Sequence, residues 1–514
     1  MENFLTNFNN NFAFITPLSN FLWDFPTNIS WYSKIPIIGN FPLVIILLVV
    51  TGIYFSIKLS FPQFKYFKKT CRFLIEKKES KTGISNFDSF MLGTSMRVGA
   101  GNIIGVTTAI ISGGPGALFW MWVSGLFGMA TAFVEGTLSQ IFKTKKNDYY
   151  VGGIMMYSRK ICKDSAIVGT IIAIFYLLYS ICCLPSQGSH TVEAINLIIR
   201  TATNDAVQIN QQFSITMSVF LLCATSIVIF SGIKKVAKVT NVMVSLMCIL
   251  FLVTGTILII FNLNLIPRFF YEVFVGAFHK RAIFGGVAGT ALMNGVKRGL
   301  FSNEAGQGTT TIASALADSK HPIEQGCITS FGVFVDTIVI CTMTGFVVVM
   351  AGNYLDANIF NEWKQTVGHL DSFVYSVNSL TNESMHISIN ILLIICFALF
   401  SYTTMMVMIS FADAAVACIT KSSKVKQLTR IIFLFVTAFG IISRVSGYDM
   451  YNLWAMTDLG NVVILIVNIP ILYLGLKYVD RAIKHYESGE IKFSADSIGY
   501  DKPLDAWEKQ EEIH

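Results

Sequence analysis

Apolar runs of about 20 residues recur along the whole chain and constrain its fold more than any other feature. A helix of roughly that length crosses the hydrocarbon core of a bilayer. Charged residues make up 13% of the sequence, whereas soluble globular chains carry roughly 25%. The sequence therefore predicts an all-α, polytopic membrane protein. The first 36 residues lack a basic segment and a small-residue cleavage site, so no cleavable signal peptide is expected.

Eleven membrane spans are predicted from these runs: 37–59, 87–112, 115–142, 165–200, 212–231, 237–262, 282–300, 324–351, 385–418, 427–445 and 449–477. Lys and Arg set their direction, because cytoplasmic loops are enriched in both. Thirty of these residues, Lys297 and Arg298 among them, fall on one side of the predicted topology and seven on the other. We therefore expect a multi-pass protein of the cytoplasmic membrane, with its N-terminus outside and its C-terminus in the cytoplasm. The loops account for the net charge of +7, so no nucleic-acid partner is expected.

Two of the predicted spans carry glycines and an asparagine, which can interrupt a membrane helix. Span 87–112 contains Gly99, Gly101, Asn102 and Gly105, and span 282–300 contains Gly285, Gly286, Gly289, Asn294 and Gly295. Once span 37–59 is set aside, these are the first and sixth of ten spans, so the two halves have opposite orientations. Such a pair at matching places is typical of the binding site of a secondary transporter. Alone, the spacing of Gly101 and Gly105 would equally fit helix packing.

Other functional classes find less support in the sequence. The ten cysteines have no zinc-site spacing, and no HExxH, nucleophile-elbow or phosphate-loop motif occurs. We therefore expect no catalytic residues, no metal other than Na⁺ and no ATP-driven pumping. A channel without gradient coupling is the alternative, although the inverted pair of interrupted helices favours a transporter.

Three long motifs carry a family resemblance: "RVGAGNIIGVTTAIISGGPGALFWMW" at 97–122, "GVKRGLFSNEAGQG" at 295–308 and "QGCITSFGVFVDTIVICTMTG" at 325–345. They resemble the alanine or glycine:cation symporter family, also called the sodium:alanine symporter family, and the likeness covers roughly residues 40–480. The resemblance implies a LeuT-type fold with two inverted repeats of five helices and one extra N-terminal helix. It also implies Na⁺- or H⁺-coupled uptake of a small neutral amino acid in a bacterial or archaeal membrane, without another cofactor. We expect a functional monomer, although the sequence leaves the oligomeric state open.

On this resemblance the chain divides into five segments. They are an extracytoplasmic segment at 1–36, the extra helix with a basic cytoplasmic loop at 37–86, a first repeat at 87–262, a second repeat at 263–477 and a charged cytoplasmic tail at 478–514. We expect the tail to be a solvated extension.

The resemblance also implies a set of substrate-binding residues. They are Gly99, Ala100, Gly101, Asn102, Gln187, Gly286, Val287, Thr404 and Met408. Three depart from the family pattern, because Ala100 replaces a threonine, Val287 an aromatic residue and Met408 a tryptophan. These changes put smaller or more flexible side chains into the lining of the binding site. They predict a substrate bulkier than alanine or glycine, such as glutamine or serine. In the alternative, neighbouring side chains refill the space.

A cation site is implied between the first and eighth core helices. The carbonyls of Ser95 and Val98 and the hydroxyl of Ser401 or Thr403 would supply oxygen ligands. The threonine could instead hydrogen-bond to its own helix backbone, as membrane threonines commonly do.

Charged residues inside spans suggest gating or ion pairing. Arg97 needs a carboxylate or a cluster of carbonyls, and the candidate carboxylates are Glu135, Asp336 and Asp413. We favour a gating ion pair for Arg97 over a contact with the substrate carboxylate.

Two further polar positions stand near the predicted site. Glu304, next to Lys297 and Arg298, is predicted to form an inner-gate network at the cytoplasmic end of the sixth core helix. His190, near Gln187, could tune protonation or simply be a partnered residue between helices.

Overall fold

A computed structural model describes residues 6–7, 10–35, 38–76, 82–146, 149–204, 211–278, 289–356, 370–446, 451–490 and 492–508. The first half contains α1 (Ile15–Asp24), α2 (Leu43–Lys58), α3 (Pro62–Lys65), α4 (Phe67–Ile75), α5 (Asn86–Arg97), α6 (Ile104–Gly113), α7 (Gly116–Ile141), α8 (Ile154–Ile161), α9 (Ala166–Ala202), α10 (Gln211–Phe230) and α11 (Ile233–Phe261). A short antiparallel hairpin of β1 (Thr144–Lys146) and β2 (Tyr149–Val151) follows α7.

The second half contains α12 (Ile266–Phe278), α13 (Gly289–Asn303), α14 (Thr311–Leu316), α15 (Pro322–Val333), α16 (Cys341–Ala351), α17 (Leu370–Ser379), α18 (Glu383–Ile419), α19 (Ser423–Val445), α20 (Tyr451–Ser488), α21 (Ala495–Ile498) and α22 (Asp505–Glu508). A π-helical segment, Phe334–Ile340, joins α15 to α16. Short 3₁₀ turns lie at Ile38–Asn40, Ala100–Asn102, Leu263–Leu265 and Asn353–Leu355.

Eight helices within the described ranges are long and apolar enough to cross a membrane. They are α7, α9, α10, α11, the continuous stretch Pro322–Ala351, α18, α19 and the Leu453–Ser488 part of α20. Each coincides with one predicted span. The other three predicted spans correspond to the 16-residue α2, to the interrupted pair α5 and α6, and to α13, whose preceding residues 282–288 lie outside the described ranges. The count of eleven therefore stays a prediction.

The predicted interruption of span 87–112 is confirmed. Helix α5 ends at Arg97, and Val98 adopts an extended conformation with φ −78° and ψ 90°. One 3₁₀ turn follows, and α6 begins at Ile104. The chain thus crosses this region as two half-helices separated by an unwound segment, which we call the first break (98–103).

The predicted interruption of span 282–300 rests mainly on Gly285, Gly286 and Gly289, and residues 282–288 lie outside the described ranges. Asn294 and Gly295 do not interrupt the helix. Helix α13 runs continuously through Asn294 and Gly295. The backbone leaves the helix only afterwards, with positive φ at Glu304 (55°), Gly306 (92°) and Gly308 (72°), and α14 follows. We call residues 303–310 the second break. The predicted contacts Gly286 and Val287 lie outside the described ranges.

Gly295 serves close packing rather than unwinding. An ideal Cβ at this position would lie 2.3 Å from the carbonyl oxygen of Ala117 on α7. Only glycine therefore allows α13 to approach α7 this closely, which is the packing role that glycine often has in membrane helices.

The packing of α13 and α14 along α7 places Lys297 and Arg298. Gly295 lies against the start of α7, whereas at its far end Gln140 Nε2 donates to the carbonyl of Ala317 over 2.9 Å. Lys297 and Arg298 therefore lie at the end of α7 opposite the basic loop that follows Ile141. Grouping them with that loop was wrong, because the span continues beyond residue 300 through the second break.

The described part of the C-terminal tail packs against the helical body, so the expected solvated extension is wrong for this part. Phe493 and Ile498 are buried, and Trp507 Nε1 donates to the carbonyl of Gln140 over 3.0 Å. The ring of His485 stacks on His321, 3.2 Å from Nδ1 to Nε2. Burial and the neighbouring His485 lower the pKa of His321 to about 3.

Candidate functional site

The amide side chain of Asn102 bridges the unwound backbone of the first break. The N–H of Gly99 donates to Asn102 Oδ1 over 2.9 Å, and Asn102 is fully buried. The backbone N–H of Asn102 donates to the carbonyl of Gly99 over 3.2 Å, so it does not reach back to Val98 as it would in an α-helix. The break therefore presents backbone carbonyls that are not committed to helical hydrogen bonds.

Asp336 anchors this break from the π-helical segment. It accepts hydrogen bonds from Asn102 Nδ2 over 2.6 Å, from Ser302 Oγ over 2.9 Å and from Thr337 Oγ1 over 2.9 Å. All four residues are buried. Asp336 was one candidate partner for Arg97, and the structure instead places it on Asn102 at the first break.

Carboxylates surround the second break. Glu304 accepts from Thr309 Oγ1 over 2.6 Å and from Tyr179 OH over 3.0 Å. Glu135 of α7 accepts from the N–H of Gly308 over 2.7 Å. The predicted cluster of Glu304 with Lys297 and Arg298 does not form, because Glu304 lies in the unwound turn one step beyond α13.

A second contact holds the same turn. Asn468 of α20 donates from Nδ2 to Glu135 Oε1 over 2.8 Å and to the carbonyl of Gly306 over 2.9 Å. The backbone groups that the break releases therefore find partners on α7 and α20, as membrane burial requires.

Arg97 links the two breaks. Its Nε donates to the carbonyl of Asn303 over 3.0 Å, and its Nη2 donates to Thr310 Oγ1 over 2.9 Å. Within the described ranges no carboxylate forms an ion pair with this buried guanidinium, although Glu304, Glu135 and Asp336 all act on it electrostatically. The sequence predicted either a carboxylate or a cluster of carbonyls as the partner of Arg97, and in the structure a backbone carbonyl accepts from it.

The remaining candidate, Asp413, lies elsewhere. It forms an ion pair with Arg430 of α19, 2.6 Å from Oδ2 to Nη2. This pair joins the ends of α18 and α19 near β2 and lines a cavity of about 330 Å³.

One face of α18 meets the first break. Thr404 Oγ1 lies within donating distance of two carbonyl oxygens, 2.7 Å from that of Ser95 on α5 and 2.9 Å from that of Phe400 on its own helix. Ser401, one turn earlier, is fully buried, and its hydroxyl has no hydrogen-bond partner among the described residues. Thr403 instead donates to the carbonyl of Leu399 over 2.8 Å and lies near Met247. The structure therefore brings Thr404, but not Thr403, to the cation candidate Ser95 on α5, and Ser401 lies one turn before Thr404 on α18.

At two positions of the first break, neighbouring side chains come so close to the backbone that only glycine fits. An ideal Cβ at Gly99 would lie 2.9 Å from Thr404 Oγ1 and 3.8 Å from Gln187 Oε1, and one at Gly101 would lie 2.8 Å from the ring of Phe301. The structure thus brings Gly99, Gln187 and Thr404 together, as predicted for a common site. Two other predicted contacts are buried in different clusters of the core, Ala100 and Met408.

Aromatic residues that sequence reasoning missed complete the surroundings. Trp454 of α20 lies 5.9 Å from Phe301 and 5.2 Å from His190, measured between ring centroids. His190 also lies 5.9 Å from Phe397 of α18. Trp454 is distant in sequence from both breaks, and only the packing of α20 reveals it.

A cluster of charges lies above this aromatic group. Asp458 of α20 binds Lys297 Nζ over 2.8 Å and Arg298 Nη1 over 3.0 Å. The guanidinium of Arg298 also lies 5.7 Å from the centroid of Trp454. The predicted ion pair of Arg298 therefore has Asp458 as its partner, and it ties α13 to α20.

The sequence is also similar to those of known proteins. The model of the sodium:alanine symporter family matches residues 28–497. The probable sodium/glutamine symporter GlnT of Bacillus subtilis is 33% identical over 86% of this chain and 87% of its own length. The sodium/alanine symporter AgcS of Methanococcus maripaludis is 36% identical over 60% of this chain and 68% of its own.

Among solved structures, the crystal structure of MhsT in complex with L-phenylalanine matches with a TM-score of 0.53. The match covers 82% of this chain and 92% of that chain at 12% identity. This likeness supports a LeuT-type fold.

Proposed function

Because the chain belongs to the sodium:alanine symporter family, we propose that it couples the influx of Na⁺ to the uptake of a neutral amino acid by alternating access. Membership and the named relatives make it a membrane transporter and not an enzyme. The observation that carries the proposal is the meeting of two helix breaks, where Gly101 of the first lies against Phe301 just before the second.

The cation would bind where α18 meets the first break. The carbonyls of Ser95 and Val98 and the hydroxyls of Ser401 and Thr404 would supply hard oxygen ligands, which suit Na⁺. The unpartnered hydroxyl of Ser401 supports this assignment, since a buried polar group without a partner costs about 1–3 kcal/mol.

Asp336 would add a negative charge to the same break. Its carboxylate, held by Asn102 and Ser302, could take part in binding a second cation or the proton that the family's H⁺-coupled alternative requires.

The amino acid would bind beside the cation. Helix α6 begins directly after the first break, so its first-turn N–H groups are available for the substrate carboxylate. Gln187 and the backbone around Gly99 would contact the substrate on the facing side.

The cluster of Lys297, Arg298 and Asp458 would close the outer path. It bridges α13 and α20 at the end of α7 that the predicted topology places outside. Opening toward that side would require these ion pairs to separate.

Uptake into proteoliposomes tests the proposal. An imposed inward Na⁺ gradient should drive the accumulation of labelled alanine or glutamine above the external concentration, and dissipating the gradient should abolish it. Equilibration without accumulation, regardless of the gradient, would favour the channel alternative. Replacing Na⁺ by a proton gradient identifies the coupling ion.

Competition identifies the substrate class. If the departures at Ala100, Val287 and Met408 enlarge the site, unlabelled glutamine should compete with labelled alanine at least as well as unlabelled alanine does. A strict preference for alanine and glycine would contradict the proposal of a larger substrate while leaving symport intact.

A further inference from the structure

Two buried polar atoms on one face of α9 have no hydrogen-bond partner among the described residues. They are Gln187 Oε1 and His190 Nε2, one helical turn apart. The two residues are 5% and 3% exposed. Buried polar groups in folded proteins nearly always have partners, and exceptions call for an explanation such as a ligand.

The tautomer of the neutral His190 ring follows from its other neighbours. Its Nδ1 lies 3.2 Å from Glu193 Oε2, and Glu193 Oε1 binds Arg444 Nη2 over 2.6 Å. An ionised carboxylate accepts only, so the proton of the neutral ring lies on Nδ1. Nε2 then carries a lone pair and presents a hydrogen-bond acceptor.

Packing places the ring of His190 beside residues that reach the breaks. His190 lies against Phe397 and Trp454. On α18, Phe397 is followed one turn later by Ser401 and then by Thr404, which contacts Ser95 and Gly99. Gln187 Oε1 lies near the same glycine. Gln187 Oε1 therefore lies beside the first break, and His190 lies one turn further along the same helix, against Trp454, which in turn lies 5.9 Å from Phe301.

We infer that His190, together with Gln187, recognises the side chain of the substrate and selects an amino acid with a carboxamide. The inference rests on the proposed function. A carboxamide NH₂ has two N–H donors, which match two acceptors, whereas a hydroxyl has one and the side chains of alanine and glycine have none. A site built to bind an N–H group discriminates strongly against analogues that lack it.

The test compares uptake of labelled glutamine and methionine, which are similar in length but differ in the carboxamide. The parent should have a glutamine KM at least tenfold below that of methionine. His190→Phe keeps a ring against Phe397 and Trp454 but removes Nε2, so the ratio of the two KM values should move by about tenfold toward one. His190→Gln keeps an acceptor and should retain part of the preference.

The matched control is His386→Phe. His386 lies at the start of α18, where Nε2 contacts the carbonyl of Thr381 over 3.0 Å, away from the breaks. The KM ratio of this variant should equal that of the parent.

One measurement needs no variant. Glutamine with two methyl groups on its carboxamide nitrogen has no N–H to donate there and should compete at least tenfold more weakly than glutamine. Equal competition would overturn the inference. So would a parent that does not distinguish glutamine from methionine, or a His190→Phe variant that changes both KM values by the same factor. In each of these cases Na⁺-driven uptake would continue, whereas the complete absence of Na⁺-driven uptake would contradict the proposed function instead.

Discussion

The two breaks both interrupt a membrane helix, yet they satisfy their backbones with different chemistry. In the first, the neutral side chain of Asn102 accepts from the N–H of Gly99 through Oδ1 and donates to Asp336 through Nδ2. In the second, the carboxylate of Glu135 accepts directly from the N–H of Gly308. The first break presents backbone carbonyl oxygens near α18. In the second break, Glu135, Asn468 and Arg97 bind backbone groups.

Arg97 adds to this difference. It ends the helix before the first break, but its side chain donates to Asn303 and Thr310 of the second. We infer a division of roles, in which the first break binds the ion and substrate and the second is a support that keeps α13 and α14 in place.

Replacing Arg97 should have the largest effect. Arg97→Met leaves the carbonyl of Asn303 and three buried carboxylates without the cation that acts on them. Removing one member of a buried charged network costs about 3–5 kcal/mol. The midpoint of thermal unfolding in detergent should fall accordingly. Arg430→Met, which breaks a pair closer to solvent, is the matched control and should cost less, and equal losses would argue against a supporting role for Arg97.

Exchanging one carboxylate at each break separates binding from support. Asp336→Asn should raise the Na⁺ concentration for half-maximal uptake by about tenfold or more, because the negative charge that Asp336 adds to the first break is lost. Glu135→Gln should lower the unfolding midpoint but leave that Na⁺ concentration within about twofold of the parent. The division of roles is wrong if the two variants exchange these phenotypes.

Gly101 in the first break and Gly105 in the first turn of α6 offer a finer comparison. Gly101→Ala places a Cβ 2.8 Å from the ring of Phe301, whereas Gly105→Ala places one at 3.7 Å, an ordinary contact. Overpacking of the first kind costs about 1–3 kcal/mol. Uptake should fall by about tenfold in Gly101→Ala and change little in Gly105→Ala. Similar rates in both variants would show that the contact with Phe301 is not required.

The smallest expected difference between two variants concerns the second break. Gly308→Ala combines a positive φ of 72° with a Cβ 2.8 Å from Ile154, whereas Gly352→Ala has a φ of 69° and open space around the Cβ. Backbone strain alone costs about 1–2 kcal/mol, so both variants should unfold earlier than the parent. Gly308→Ala should unfold earlier still, and an equal shift would mean that Ile154 gives way.

The sequence predicted the membrane class and the first break, because apolar length and clustered glycines are local signals. In span 282–300 it could not separate the two kinds of glycine, since glycines that allow close packing look the same in a sequence as glycines that allow unwinding, and it did not predict the break at 303–310. Gly295 is the packing kind, and the positive φ at Glu304 and Gly306 has no comparable pattern. The partners of Arg97 and Arg298 could not be chosen either, because they depend on how distant helices pack.

The most direct test of the central claim is the Na⁺ dependence of labelled amino-acid binding in a pair of neighbouring variants on α18. Thr404→Val removes the hydroxyl that lies 2.7 Å from the carbonyl of Ser95, and Thr403→Val removes one that faces Met247 instead. We predict that Thr404→Val raises the Na⁺ concentration for half-maximal binding by about tenfold or more, while Thr403→Val stays close to the parent. A parental Na⁺ response in Thr404→Val would contradict the placement of the ion between α18 and the first break.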